Sequence, residues 1–144
     1  MANKKVQLRG SHLTLDCLGG SADLLGDKAH VEHVLEKLVS LLDMRKLINP
    51  VVVYCENAVN DWDKGGISGF VIIAESHISI HTFPDAGLLT ADVYSCKPFD
   101  VALVEGFIKT SFKMSKVQSS LIRREIEFLR RHGLLEFSEE NRKN

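Results

Sequence analysis

A short run of chemically reactive side chains lies near the middle of the sequence, from Glu75 to Thr82. It contains a carboxylate, hydroxyls and two imidazoles, which act in proteins as nucleophiles and as general acids or bases. If the run forms a β-strand, His77, Ser79 and His81 share one face, because residues two apart on a strand point the same way. The alternative interpretation is an ordinary half-buried strand whose polar side chains only face solvent.

Two well-known kinds of site are not supported by this run. His77 and His81 have the spacing of the two histidines in the zinc motif H-E-x-x-H, but that motif needs a glutamate at position 78 and a helix. This chain has isoleucine there, and the run is typical of a strand. The G-x-S-x-G elbow of serine hydrolases is absent from the sequence. We therefore expect no metal site and no hydrolase triad.

The pattern around the reactive run predicts an α/β fold. Strands are indicated by alternating or β-branched apolar residues, and helices by apolar residues that recur every three or four positions. The predicted strands are 13–17, 51–54, 70–74, 78–82, 91–96 and 117–122, and the predicted helices are 30–42, 99–112 and 125–132, with a polar loop at 57–66. Because strands and helices do not strictly alternate, we expect a two-layer α/β sandwich, with a mainly antiparallel sheet and helices on one face.

Length and charge limit the classes of function. The chain has 144 residues, with 18 basic and 19 acidic side chains and a formal net charge of -1, so it lacks the basic field that attracts nucleic acid. No apolar run approaches the roughly 20 residues that cross a bilayer, and no secretion signal is evident. Three widely spaced cysteines favour neither a disulfide framework nor a zinc site. We expect one cytoplasmic domain over residues 1–144, without nucleic-acid or membrane partners.

The sequence from Ser68 to Asp85 closely resembles the signature of the prokaryotic S-adenosylmethionine decarboxylases, which are pyruvoyl-dependent enzymes made as proenzymes. That family shows E-S-H-[IL]-[ST]-I-H-T-W-P-E, and this chain reads E-S-H-I-S-I-H-T-F-P-D from position 75. The resemblance continues through Ala91–Cys96 and includes an opening G-x-H-[LI] at Gly10–Leu13. It covers the chain from about residue 10 to residue 112.

The resemblance implies that the chain cleaves itself between Glu75 and Ser76 into fragments 1–75 and 76–144. The Ser76 hydroxyl would attack the Glu75 carbonyl to form an ester. Elimination of the Glu75 carboxylate and loss of ammonia would then leave a pyruvoyl group at position 76. By motif match, Ser68 would stabilise the intermediate and His81 would take the α-proton. The resemblance also implies a homodimer of cleaved protomers.

The same resemblance implies the roles of the other site residues. The pyruvoyl group, a cofactor made from Ser76, would form a Schiff base with the substrate amine and accept the electrons released with carbon dioxide. Cys96 matches the family's proton donor, and cysteine thiols are mostly protonated at neutral pH. Asp85 stands where the family has a glutamate that binds the ribose hydroxyls, Phe83 replaces a tryptophan, and Trp62 falls near an aromatic residue that stacks on adenine.

The implied function is decarboxylation of S-adenosylmethionine for spermidine synthesis, and two alternatives stay open. After Pro84-Asp85 the family has Tyr-Gly-Tyr-Ala, where this chain has Ala-Gly-Leu-Leu, so a pyruvoyl-dependent arginine or ornithine decarboxylase is one alternative. A catalytically inactive homologue that acts as a dimer partner is the other, although the cleavage-site serine and its predicted helpers are all present. Outside the motif, His12 and Cys17 are predicted to be core residues.

Overall fold

The computed structural model describes residues 9–56, 61 and 63–125. The elements in chain order are β1 (Arg9–Leu18), α1 (Ala22–Leu25), α2 (Lys28–Leu41), β2 (Val51–Cys55), β3 (Gly66–Ile73), β4 (Ser76–Phe83), β5 (Leu88–Ser95), α3 (Val101–Phe112) and β6 (Lys116–Glu125). A short 3-10 turn, Pro84–Ala86, joins β4 to β5. Within these ranges, none of the helices has the length and apolar character that a membrane span requires.

The six strands form one sheet in the order β2-β3-β4-β5-β1-β6. Every neighbouring pair is antiparallel, which confirms the predicted architecture. The predicted terminal helix is wrong at its first residue, because Glu125 pairs with Arg9 and ends β6. The rest of that predicted helix, 126–132, lies outside the described residues. Pairing with β1 along its whole length extends β6 past the short apolar run from which the strand was predicted.

The two long helices begin at aspartate caps and cover one face of the sheet. The side chain of Asp27 accepts a hydrogen bond from the backbone N–H of His30, and Asp100 does the same for Leu103 at the start of α3. Such caps satisfy backbone donors that have no partner inside the helix. The buried side of α2 consists of Val31, Val34, Leu35, Leu38 and Val39, which pack in the core with the alternate residues of the strands.

Residues of β1 show how the sheet divides into a buried and an open face. Leu13, Leu15 and Cys17 point towards the helices and are at most 1% exposed. Cys17 is therefore a core residue, as predicted, and burial raises its pKa to about 11. The prediction for His12 is wrong: it alternates with these residues and lies half-buried on the opposite face. Among the described elements, no helix covers that face.

Gly66, at the start of β3, is expected to be essential for packing. A Cβ atom there would lie 1.9 Å from the backbone carbonyl oxygen of Thr82, and backbone cannot move aside cheaply. We expect Gly66→Ala to lower the free energy of unfolding by about 1–3 kcal/mol, the usual cost of overpacking. The matched control is Gly106→Ala on α3, where nothing lies within 4 Å. That change should raise the free energy of unfolding by about 0.5–1 kcal/mol.

Both values would be measured by urea denaturation in the Ser76→Ala background, so that every sample is a single uncleaved chain. Equal stability of the two alanine variants would show that the backbone around Gly66 accommodates a side chain.

Candidate active site

The predicted cleavage site lies in the two-residue turn that joins β3 to β4. Ala74 and Glu75 form this turn, and Ser76 is the first residue of β4. The φ angle of Ser76 is 149°, a conformation that residues with a Cβ atom rarely adopt. Such a conformation costs about 1–3 kcal/mol and persists only where the surrounding structure enforces it. The backbone is therefore strained at the residue that follows the predicted bond.

The carbonyl group of the predicted bond is held by a backbone donor. The N–H of Cys96 donates a hydrogen bond to the carbonyl oxygen of Glu75 at 2.9 Å. Attack on this carbonyl by a hydroxyl would place negative charge on that oxygen, and an N–H already aimed at it stabilises the charge. Cys96 thus adjoins the predicted bond through its backbone as well as by motif match. Sequence reasoning missed this contact, because every residue type except proline carries a backbone N–H.

The segment 45–47 holds the other side of the turn, and sequence analysis gave it no role. The N–H of Arg45 donates to the two Glu75 carboxylate oxygens at 3.2 and 3.3 Å. The carbonyl oxygen of Arg45 accepts a hydrogen bond from the N–H of Ala74 at 2.8 Å. The N–H of Leu47 donates a hydrogen bond to the carbonyl oxygen of Ile72 at 2.9 Å. The turn is therefore fixed from two directions, by the segment 45–47 and by Cys96.

Ser68 and His81 are in direct contact on the open face of the sheet. They are opposite each other in the β3–β4 register, and Oγ of Ser68 lies 2.9 Å from Nδ1 of His81. The pair borders a pocket of about 380 Å³ whose other lining residues include Val51, Val53 and Phe70. An imidazole beside a hydroxyl can take up or deliver a proton. This pair is thus arranged for proton transfer in a largely apolar depression.

The structure does not bring this pair to Ser76 within one chain. His81 follows Ser76 by five residues on the same strand. At about 3.4 Å per residue, their Cα atoms lie roughly 17 Å apart. One chain therefore carries two separate groups, Ser76 with Cys96 at one end of β4 and Ser68 with His81 towards the other. The predicted assistance of Ser68 and His81 at Ser76 is not met by a single copy.

The predicted substrate-binding residues lie at the His81 end of the sheet. Phe83 is the last residue of β4 and is half-buried, two positions beyond His81 on the same face. Asp85 is exposed in the turn Pro84–Ala86 that follows. Trp62 lies outside the described residues. Phe83 and Asp85 therefore lie at the same end of β4 as the Ser68–His81 pair, away from the scissile turn.

A cluster of polar and aromatic side chains, which sequence analysis missed, lies on the open face between β4 and β6. Nε2 of His12 is 2.8 Å from a carboxylate oxygen of Asp92. The ring of Tyr94 lies 5.5 Å from that of His77 and 4.7 Å from the guanidinium carbon of Arg124. In the described part of the chain, no group of three or more histidine, cysteine or acidic residues is placed to hold a metal ion. The alternation of β1 was the signal that could have placed His12 on this face.

Comparison with known proteins agrees with the signature at this site. Residues 11–125 match the family model described as S-adenosylmethionine decarboxylase. The S-adenosylmethionine decarboxylase proenzyme of Clostridium botulinum is 31% identical over 110 residues, 76% of this chain and 88% of that protein. The proenzyme of Archaeoglobus fulgidus is 28% identical over 110 residues, 76% of this chain and 89% of that protein.

A solved structure shows the same fold. The crystal structure of the adenosylmethionine decarboxylase from Aquifex aeolicus aligns with a TM-score of 0.65 at 28% identity, over 84% of this chain and 94% of that one. Because the family model spans most of the chain, and the strained turn coincides with the signature, this protein belongs to the S-adenosylmethionine decarboxylase family.

Proposed function

We propose that this chain is a proenzyme that cleaves itself between Glu75 and Ser76 and then decarboxylates S-adenosylmethionine for spermidine synthesis. The proposal rests on the geometry of the peptide bond between Glu75 and Ser76. Its carbonyl already accepts a hydrogen bond from Cys96, and the φ angle of Ser76 is strained. The relatives named above support this substrate over arginine or ornithine. The hydrogen-bonded carbonyl and the strained φ angle at this bond favour an active enzyme over an inactive homologue.

Cleavage uses groups of the chain itself, together with one water molecule in the last step. The Ser76 oxygen forms a bond to the Glu75 carbonyl carbon and the peptide C–N bond breaks. The hydroxyl proton passes to the freed amine, which stays on residue 76. Loss of the α-proton of residue 76 then expels the new main-chain carboxylate of Glu75, which becomes the C-terminus of fragment 1–75. An imidazole is suited to accept that proton. Hydrolysis of the remaining enamine releases ammonia and leaves the pyruvoyl group. The Cys96 N–H holds the oxygen on which charge develops in the first step.

Residue 76 is well placed to carry a reactive group after cleavage. β4 stays paired on both sides at this position, with Ile73 of β3 and Ser95 of β5. When formed, the pyruvoyl group supplies an electron sink for the step in which the substrate loses carbon dioxide. The side chain of Cys96 is exposed next to this position, so its thiol can reach a bound molecule. We assign Cys96 the delivery of a proton to the substrate α-carbon.

A second copy of the chain is proposed to complete the site. The open face carries exposed apolar side chains, including Val53, Phe70 and Ile72, and none of the described elements covers it. A two-fold axis that lies between the two sheets and runs perpendicular to β4 would place opposite ends of the two copies of this strand together. It would thus bring Ser68 and His81 of the partner subunit towards the Ser76 end of the first copy. Phe83 and Asp85 would come with them and contact the substrate there.

Complementation between two inactive chains tests this dimer. The His81→Ala chain keeps Ser76, and the Ser76→Ala chain keeps His81. We expect the His81→Ala chain to cleave slowly alone and faster when co-expressed with the Ser76→Ala chain, because mixed dimers restore the imidazole. Intact-mass analysis of separately tagged chains would measure this.

The control for complementation is co-expression with a chain that carries both substitutions and so supplies no imidazole. If the His81→Ala chain cleaves equally with the Ser76→Ala chain and with the doubly substituted chain, His81 acts within its own chain or not at all. For the substrate, carbon dioxide release would be measured in parallel with S-adenosylmethionine, arginine and ornithine. Release from arginine or ornithine alone would contradict the proposed substrate.

A further inference from the structure

The two segments that hold the scissile turn are joined to each other by a charged contact. Nζ of Lys97 donates to the backbone carbonyl oxygen of Asp43 and lies 3.3 Å from its carboxylate. Lys97 directly follows Cys96, whose N–H holds the Glu75 carbonyl, and Asp43 lies two residues before Arg45, whose N–H holds the Glu75 carboxylate. The Lys97–Asp43 contact thus closes a ring of contacts around the bond that is proposed to break.

Each end of this contact is itself fixed. The buried Ser95 hydroxyl donates to the carbonyl oxygen of Lys97 at 2.8 Å and accepts from its N–H at 2.9 Å. Asp43 has a φ angle of 52°, a conformation that aspartate and asparagine tolerate better than most residues. Its N–H donates to the carbonyl oxygen of Ser40 at the end of α2. The contact therefore joins two backbone segments, each of which is held by hydrogen bonds of its own.

The segment between Asp43 and β2 has its own link to the helix layer. Nζ of Lys46 contacts the carboxylate of Glu36 on α2. Lys46 also forms an isolated antiparallel bridge with Ile73, the last residue of β3. One side of the scissile turn is thus attached to α2. On the other side of the turn, Lys97 ties the segment that carries Cys96 to Asp43.

We propose that Lys97 and Asp43 are positioning residues for self-cleavage, which hold the Cys96 N–H and the Arg45 N–H at the spacing that keeps the Glu75 carbonyl ready for attack by Ser76. The inference rests on the proposed function, because it concerns the rate of the same cleavage. The contact is partly exposed at Lys97 and fully exposed at Asp43, so it should add little to the stability of the fold. Its effect should therefore appear in the rate of cleavage.

The test is a pulse–chase in cell-free translation, in which the uncleaved chain and its two fragments are separated on a denaturing gel. Lys97→Met removes the charge and keeps the length of the side chain. We expect it to slow cleavage about fivefold, a change typical of losing one partly exposed charged contact. Lys97→Arg should restore most of the rate, because a guanidinium reaches the same oxygens. Asp43→Asn should slow cleavage less than Lys97→Met, since the backbone acceptor remains.

Controls separate positioning from general destabilisation. Lys37→Met removes an exposed lysine on α2 and should leave the rate unchanged. Thermal unfolding of Ser76→Ala chains with and without Lys97→Met should give the same midpoint. A Lys97→Met chain that cleaves at the wild-type rate, or whose midpoint falls together with its rate, would overturn the positioning role. A wild-type chain that never cleaves would instead contradict the proposed function itself.

Discussion

We expect Ser76→Ala to remain one chain of 16.1 kDa, whereas the wild-type chain should separate on a denaturing gel into two fragments of similar size. This result is expected because the substitution removes the only oxygen that can attack the strained turn from residue 76. The neighbouring contacts do not depend on that oxygen, since the Glu75 carbonyl is held by Cys96 and its carboxylate by Arg45. Intact-mass analysis gives the fragment boundaries and the loss of ammonia from residue 76.

The matched control for this result is Ser40→Ala, which removes an exposed hydroxyl on α2 and should cleave like the wild type. A carbonyl-reactive hydrazine should label fragment 76–144 of the wild type and leave the Ser76→Ala chain unlabelled. A wild-type protein that stays whole after long incubation and takes up no hydrazine would rule out the pyruvoyl mechanism.

Cys96→Ala is expected to separate the two reactions of this site. Cleavage should continue at least in part, because the contact with the Glu75 carbonyl comes from the backbone N–H, which alanine also carries. Turnover of S-adenosylmethionine by the cleaved protein should fall by about 10²–10⁴-fold, the usual contribution of a positioned general acid. The measurements are the fraction cleaved by mass and carbon dioxide release per cleaved chain.

Cys55→Ala serves as the control for Cys96→Ala, since it removes another exposed thiol, at the end of β2. It should leave both reactions unchanged. Wild-type turnover in Cys96→Ala would show that another group delivers the proton. Complete loss of cleavage in that variant would show that the thiol, and not the backbone, serves the first reaction.

Side-chain patterns predicted the parts of this structure that depend on side-chain burial. The three- and four-residue repeat of α2 and the alternation at His77, Ser79 and His81 are direct results of which face is buried, and both are confirmed. The separation of Ser76 and His81 could also be predicted, because the two residues are five positions apart on a strand. The motif suggested one joint site, although the same strand assignment keeps the two residues apart.

Contacts made by backbone groups could not be predicted in the same way. The N–H groups of Arg45 and Cys96 hold the scissile turn, and a backbone N–H has no signature in the residue type. The Lys97–Asp43 contact joins residues that are far apart in sequence, so it follows only from the strand order. The position of His12 was misjudged because it was assigned to the core with Leu13, although adjacent residues on a strand point to opposite faces.

The order of the strands has a consequence for the life of the cleaved protein. Cleavage at the turn after β3 assigns β1, β2 and β3 to one polypeptide and β4, β5 and β6 to the other. Since the sheet order is β2-β3-β4-β5-β1-β6, three of its five strand pairings then join different polypeptides, and β1 is enclosed between two strands of the other piece. Neither polypeptide can leave without breaking continuous ladders of backbone hydrogen bonds.

Folding of the precursor is a reaction within one molecule, but reassembly of the cleaved protein is an encounter between two. A denatured sample of the mature protein should therefore recover at a rate that depends on concentration, while the uncleaved chain should recover at a rate that does not. After the proposed cleavage, we expect the lifetime of the protein to depend on slow unfolding rather than on repeated refolding. The stage before the proposed cleavage is thus the one at which folding takes place within a single molecule.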